Sequence, residues 1–114
     1  MISQNRTGFT FFTFIGFWKM IIGTPKEIAA DEKRVAMTPD SALQLHKLGY
    51  ECMVQSGAGA NSGFPDSAYR AAGVKVAKTA AELWKSCDII TKVRPPKAKE
   101  VNHLTQGKLL ISFF

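Results

Sequence analysis

From Met20 onward, short apolar runs rich in β-branched residues alternate with stretches of helical periodicity, and Gly, Pro, Ser or Thr marks each change of character. This alternation constrains the chain most, because a strand, a covering helix and another strand form the repeating unit of a parallel sheet. The first run, residues 20–24, ends at Pro25, and a polar connection over 26–33 leads to Arg34, Val35 and Ala36. Thr38 offers a hydroxyl as N-cap, and Pro39 takes the first helical position, where its missing amide hydrogen is not needed. Ala42, Leu45 and Leu48 recur at a spacing of three, which predicts an apolar stripe against the sheet; Gly49 supplies a left-handed stop.

The rhythm continues with a strand over 50–55, a glycine-rich loop over 56–64, and a short helix that Pro65 and Asp66 open and Gly73 closes, containing Ala68, Tyr69 and Ala72. A third strand follows at 74–77, and Thr79 caps a helix carrying Ala80, Leu83 and Trp84. Residues 88–93 read as a buried strand because their apolar members are mainly β-branched, and Pro95 and Pro96 break it. Residues 97–104 suit an amphipathic helix with Val101 and Leu104 inward, and Gly107 precedes a last strand over 108–114. A run as apolar as 109–114 belongs in the middle of a sheet, covered on both faces, so a further loop and helix are expected and the chain reads as truncated. The expected fold class is α/β: a Rossmann-like or flavodoxin-like parallel sheet with flanking helices.

Residues 1–19 differ in character. Phe9, Phe11, Phe12, Phe14, Phe17 and Trp18 crowd together between Arg6 and Lys19, with no acid among them. A secretory signal wants a Leu- or Ala-rich stretch and a small-residue cleavage site, which this text lacks, and a membrane span needs about 20 apolar residues. The segment reads as an extension outside the domain, a loosely packed tail whose removal is expected to leave the fold intact. The remainder, 20–114, is one domain's worth of chain.

A formal charge of +6 admits nucleic acid, a membrane surface or small anions as partners. The cations are scattered singly, with one concentration at Lys92, Arg94, Lys97 and Lys99 that holds two prolines and no stacking aromatics, which argues against nucleic acid. Cys52 and Cys87 lie in or beside apolar runs without a CxxC, so buried free thiols are expected; His46 and His103 are isolated, and no metal site is expected.

Two cations have a functional reading. Lys92 lies near the end of a predicted buried strand, where open parallel sheets place their ligand crevice; it is either a paired or functional charge or a side chain reaching solvent at an exposed strand end. Arg34 is placed to clamp a carboxylate or phosphate bidentately, or to form an ordinary salt bridge with Asp31, Glu32 or Glu27. The loop from Gly57 to Gly63 contains GxG after a strand, but its third glycine comes one residue late and Phe64-Pro65 intervenes before the next helix. It reads as a turn rather than a nucleotide fingerprint.

Gly23, Pro25, Glu27, Glu32, Arg34-Val35-Ala36, Thr38-Pro39, Lys47 and Gly49 together resemble the signature of the N-terminal domain shared by alanine dehydrogenases and proton-translocating NAD(P) transhydrogenases. The resemblance continues through Ser56 to Gly59, Phe64, Asp66, Tyr69, Ala71-Ala72-Gly73, Trp84, Lys92-Val93 and Gly107, and it covers 20–114. Thr24, Asp31 and Ala42 depart from the usual aliphatic residue, Asn and Val.

The resemblance implies catalytic roles for Arg34 and Lys92, which in alanine dehydrogenases act toward the substrate carboxylate and the keto oxygen respectively. Lys92-Val-Arg-Pro-Pro96 and Leu110-Ile-Ser-Phe113 look more like the transhydrogenase alpha-subunit branch, which implies NAD and NADP as cofactors, with the nucleotide fingerprint outside this segment. It further implies a beta subunit or membrane domain as partner, a homo-oligomer, and a place in the cytoplasm or on the cytoplasmic face of the inner membrane. An alanine dehydrogenase and a non-catalytic small-carboxylate-binding module remain the alternatives.

Overall fold

The computed structural model describes residues 20–103 and 107–112, with the backbone of two short strands, β1 (Ser3–Gln4) and β2 (Phe9–Thr10), which pair antiparallel. The expectation for the rest of 1–19 lies outside the described residues.

Five further strands make one sheet: β3 (Ile21–Thr24), β4 (Glu51–Gln55), β5 (Lys75–Ala77), β6 (Ile89–Lys92) and β7 (Leu109–Ser112). Every pairing is parallel, and the order is β5-β4-β3-β6-β7. The chain moves outward from β3 to β4 and β5, then crosses back to lay β6 on the other side of β3. That is the Rossmann order rather than the flavodoxin one, and the order in which strands are added reverses between β3 and β6.

Helix α1 (Pro39–Lys47) begins where Thr38 Oγ1 accepts from the Ser41 amide while Ser41 Oγ accepts from the Thr38 amide, and Gly49 follows it at φ 99°. Together with α2 (Asp66–Ala71) it covers one face, where Ile22, Cys52 and Val54 meet Met37, Ala42, Tyr69 and Val74. The Tyr69 hydroxyl donates to the Met37 carbonyl at 2.6 Å, and Gly59 leaves room for its ring, since a Cβ there would lie 2.7 Å from it. Helix α3 (Ala80–Ser86), capped by Thr79, covers the opposite face with Leu83 and Trp84 against Ile21, Met53, Ile90 and Leu110. At Gly23 a Cβ would overlap Cys87 Sγ, so glycine in the central strand permits this close approach. Cys52 and Cys87 are free and buried, as expected, and burial pushes the Cys87 thiol up to about 12.

Two expectations are corrected. Leu48 is 74% exposed, because a spacing of three drifts about 60° per step around a helix and carries Leu48 off the face that Ala42 occupies. Val101 is 48% exposed, because α4 (Ala98–Val101) is a single turn whose buried residue is Glu100; Leu104 lies outside the described residues. Among the described residues, β7 is the outermost strand of the sheet on that side. Leu109 and Ile111, in register with Ile89 and Thr91, face a side that α1 does not reach, and are 54% and 42% exposed. Residues 113–114 of that expected strand lie outside the described residues.

Candidate functional site

Thr24, the end of β3, is fully buried, and its hydroxyl is satisfied by that of Thr91 on β6 at 2.7 Å. A polar side chain buried at the end of the strand is thus accommodated by a cross-strand hydroxyl pair. Directly beyond it, Pro25 turns the chain and Glu27 points back across the carboxyl end of β6. The carboxylate of Glu27 accepts from the Val93 amide at 2.8 Å, the Arg94 amide at 3.3 Å and Lys92 Nζ at 3.0 Å. It therefore closes the gap between β3 and β6 at the point where the strand order reverses.

Lys92 is 1% exposed, which excludes the solvent-facing reading. Its ammonium is held by Glu27 and, from the α4 side, by Glu100 Oε2, also at 3.0 Å; both carboxylates are nearly as buried as the lysine. A cation in this position would be costly alone, and two ionised partners with further hydrogen bonds offset that cost. Glu100 is fixed in turn, because its other oxygen accepts from the Lys97 amide at 2.9 Å.

Arg34 occupies the opposite kind of environment. Its side chain is 70% exposed, and its Nε and Nη2 fork the Glu32 carboxylate, each at 2.8 Å. Glu32 also accepts from Arg94 Nε at 2.8 Å, and Arg94 reaches Asp31 at 3.1 Å. The Arg34 guanidinium, then that of Arg94, holds the Glu32 carboxyl well below the usual carboxylate range; Arg94 does the same for Asp31. The salt-bridge reading of Arg34 is correct as far as Glu32, and Nη1 has no partner among the described residues.

Residue 94 joins the two clusters: its amide donates to Glu27, while its side chain donates to Glu32. Lys92 and Arg34 are thereby tied into one network without touching. Chemically, it offers a shielded ammonium able to polarise an oxygen and an exposed guanidinium able to take an anion. Sequence reasoning missed Glu100, Arg94 and the pairing of Glu27 with Lys92. A lysine inside a buried strand was itself the signal that carboxylates had to converge there.

The Gly57 loop is built as a turn: Asp66 accepts from the Gly57 amide at 2.9 Å and from Ser56 Oγ at 2.6 Å. The Gly57 amide and the Ser56 hydroxyl are therefore engaged by the protein's own carboxylate. Among the described residues, no cluster of His, Cys, Asp and Glu is arranged to hold a metal ion, and no helix is long and apolar enough to cross a membrane.

The chain is similar in sequence and fold to known proteins. Residues 23–114 match the family described as alanine dehydrogenase/PNT, N-terminal domain. The chain is 56% identical over 95 residues to the NAD(P) transhydrogenase subunit alpha of Cereibacter sphaeroides, covering 83% of this chain and 18% of that protein. It is 40% identical over 94 residues to the alanine dehydrogenase of Halomonas elongata, covering 82% of this chain and 25% of that one. The transhydrogenase structure from Sinorhizobium meliloti superposes with a TM-score of 0.76 at 39% identity, over 81% of this chain and 27% of its own. An L-alanine dehydrogenase structure does so with a TM-score of 0.75 at 33% identity, over 82% of this chain and 26% of its own. The chain thus spans a quarter or less of the curated relatives named, and with its fold, signature and similarity in agreement it belongs to the alanine dehydrogenase/PNT N-terminal domain family.

Proposed function

We propose that this chain is the N-terminal part of an NAD(P) transhydrogenase alpha subunit, an oxidoreductase component that passes hydride between NADH and NADP while a membrane domain or beta subunit moves protons. The observation that carries this reading is the 56% identity to the Cereibacter sphaeroides subunit, against 40% to the Halomonas elongata alanine dehydrogenase. Lys92 and Arg34 are its catalytic candidates: the ammonium engages a ligand oxygen and the guanidinium an anionic group of the same ligand. Polarising a keto oxygen on which negative charge develops is the part Lys92 takes in the alanine dehydrogenase alternative, since transfer between two nicotinamides reduces no carbonyl. The family domain starts near Met20, residues 1–19 are an extension to it, and the assembly is a homo-oligomer docked on the cytoplasmic face of the inner membrane.

The test is made with the intact polypeptide in which this domain occurs. Reduction of NADP by NADH is the expected activity; alanine-dependent reduction of NAD without it would move the assignment to alanine dehydrogenase. Because the Gly57 loop is closed by Asp66, titration of the 114-residue chain with NADH is expected to show no micromolar binding. Micromolar affinity would overturn the placement of the cofactor site outside this segment.

A further inference from the structure

A cavity of about 250 Å³ opens beyond the carboxyl ends of β3 and β4, lined by Lys26, Ile28, Gln55, Lys99, Glu100 and His103, with Ala80 of α3. Glu100 alone among the described residues both lines this cavity and touches the ammonium of Lys92; the other partner, Glu27, does not reach it. The two carboxylates also differ in how they are held. Glu27 is fixed by two backbone amides of the β6 exit, whereas Glu100 rides on a one-turn helix and is anchored through the amide of Lys97.

From this asymmetry we propose that Glu100 is a displaceable counter-ion, a positioning residue standing between the cavity and Lys92. A small carboxylate enters the cavity past Lys26 and Lys99, takes the place of the Glu100 carboxylate on the Lys92 ammonium, and leaves Glu27 where it is. The inference rests on the reading of Lys92 as a group that engages a ligand oxygen. The cavity is below the size range of drug-sized ligand sites, so it admits a small acid and not a dinucleotide. In the unliganded protein, the Glu100 carboxylate keeps the buried cation satisfied; in the liganded one, the incoming anion does so, and the displaced Glu100 carboxylate turns into the cavity lined by Lys26, Lys99 and His103.

The experiment is calorimetric titration of the full chain with pyruvate, and separately with inorganic phosphate, for wild type, Glu100→Gln, the Lys26→Ala/Lys99→Ala double variant and Lys92→Met, each checked for folding by circular dichroism. Gln retains an oxygen for the Lys97 amide but removes the competing charge, so Glu100→Gln is expected to bind pyruvate about tenfold more tightly than wild type. The double variant is expected to bind more weakly and to lose part of the salt dependence. Unchanged or weaker binding by folded Glu100→Gln overturns the proposal, and phosphate binding as tight as pyruvate overturns the choice of a carboxylate. If Lys92→Met abolishes binding while the other variants match wild type, Lys92 is a ligand group but Glu100 is not its gate. If wild type and Glu100→Gln both fail to bind, or Lys92→Met binds as wild type does, the reading of Lys92 itself fails.

Discussion

Lys92 and Arg34 are assigned to one site, yet the protein holds them in opposite ways. Lys92 is enclosed between two buried carboxylates at the point where the strand order reverses, whereas Arg34 stands mostly in solvent and grips one buried carboxylate that it shares with Arg94. The difference lies in the partners as much as in the cations. An ammonium enclosed by protein needs several acceptors converging on a point, which only residues from separate elements supply; a guanidinium at the rim presents a flat fork to one. Lys92 is therefore part of what holds β3, β6 and α4 together, while Arg34 is free to change partner with little effect on the fold.

The largest consequence is for stability. Lys92→Met leaves Glu27 and Glu100 facing each other without a cation and is expected to cost about 3–5 kcal/mol in urea unfolding. Arg34→Met, at an exposed rim pair, is expected to cost much less, a minor fraction of that loss, and equal losses for the two would erase the contrast. Next in size is Glu27→Gln, which weakens the hold on Lys92 and on two backbone amides; about 3 kcal/mol is expected, well beyond any effect of Glu32→Gln. A loss at Glu32 matching that at Glu27 would show that the rim cluster also supports the fold.

A smaller effect concerns acid. The folded Glu32 carboxyl lies below its ordinary value of 4.5, so its contribution to stability is full above that value and is lost as pH falls toward the folded one. Wild-type stability is expected to decline from about pH 5 to about pH 3, and Arg34→Met, which brings the folded value back up, to flatten that decline. An identical acid profile in the variant would remove Arg34 as the main cause. The smallest expected effect is none: deletion of residues 1–19 is expected to leave the unfolding midpoint unchanged, and loss of soluble protein would show that the extension supports the domain.

The fold was legible because its signals are local. Thr38 with Pro39, Thr79, and the glycines at 49 and 73 place helix ends by backbone chemistry that needs no tertiary partner. The strands were found by their β-branched runs, and the Rossmann order, undecided in the sequence, follows from which strands pair. The site was half legible. Lys92 and Arg34 carry the family signature, but Glu100 sits in a stretch where apolar spacing favours Val101 as the inward residue. A carboxylate turns inward only because an ammonium from another element waits there, and periodicity does not encode that. Arg94 was missed for the same reason: its role is to join two clusters, and neither is contiguous in sequence.

The claim that Lys92 and Arg34 serve a single ligand is tested most directly by nitrogen-15 NMR of their side chains during a pyruvate titration of the wild-type chain. The account predicts that the Lys92 Nζ and Arg34 Nε resonances move together along one saturation curve, while exposed lysines such as Lys75 stay still. Movement of neither resonance, or saturation of the two at different concentrations, would contradict it.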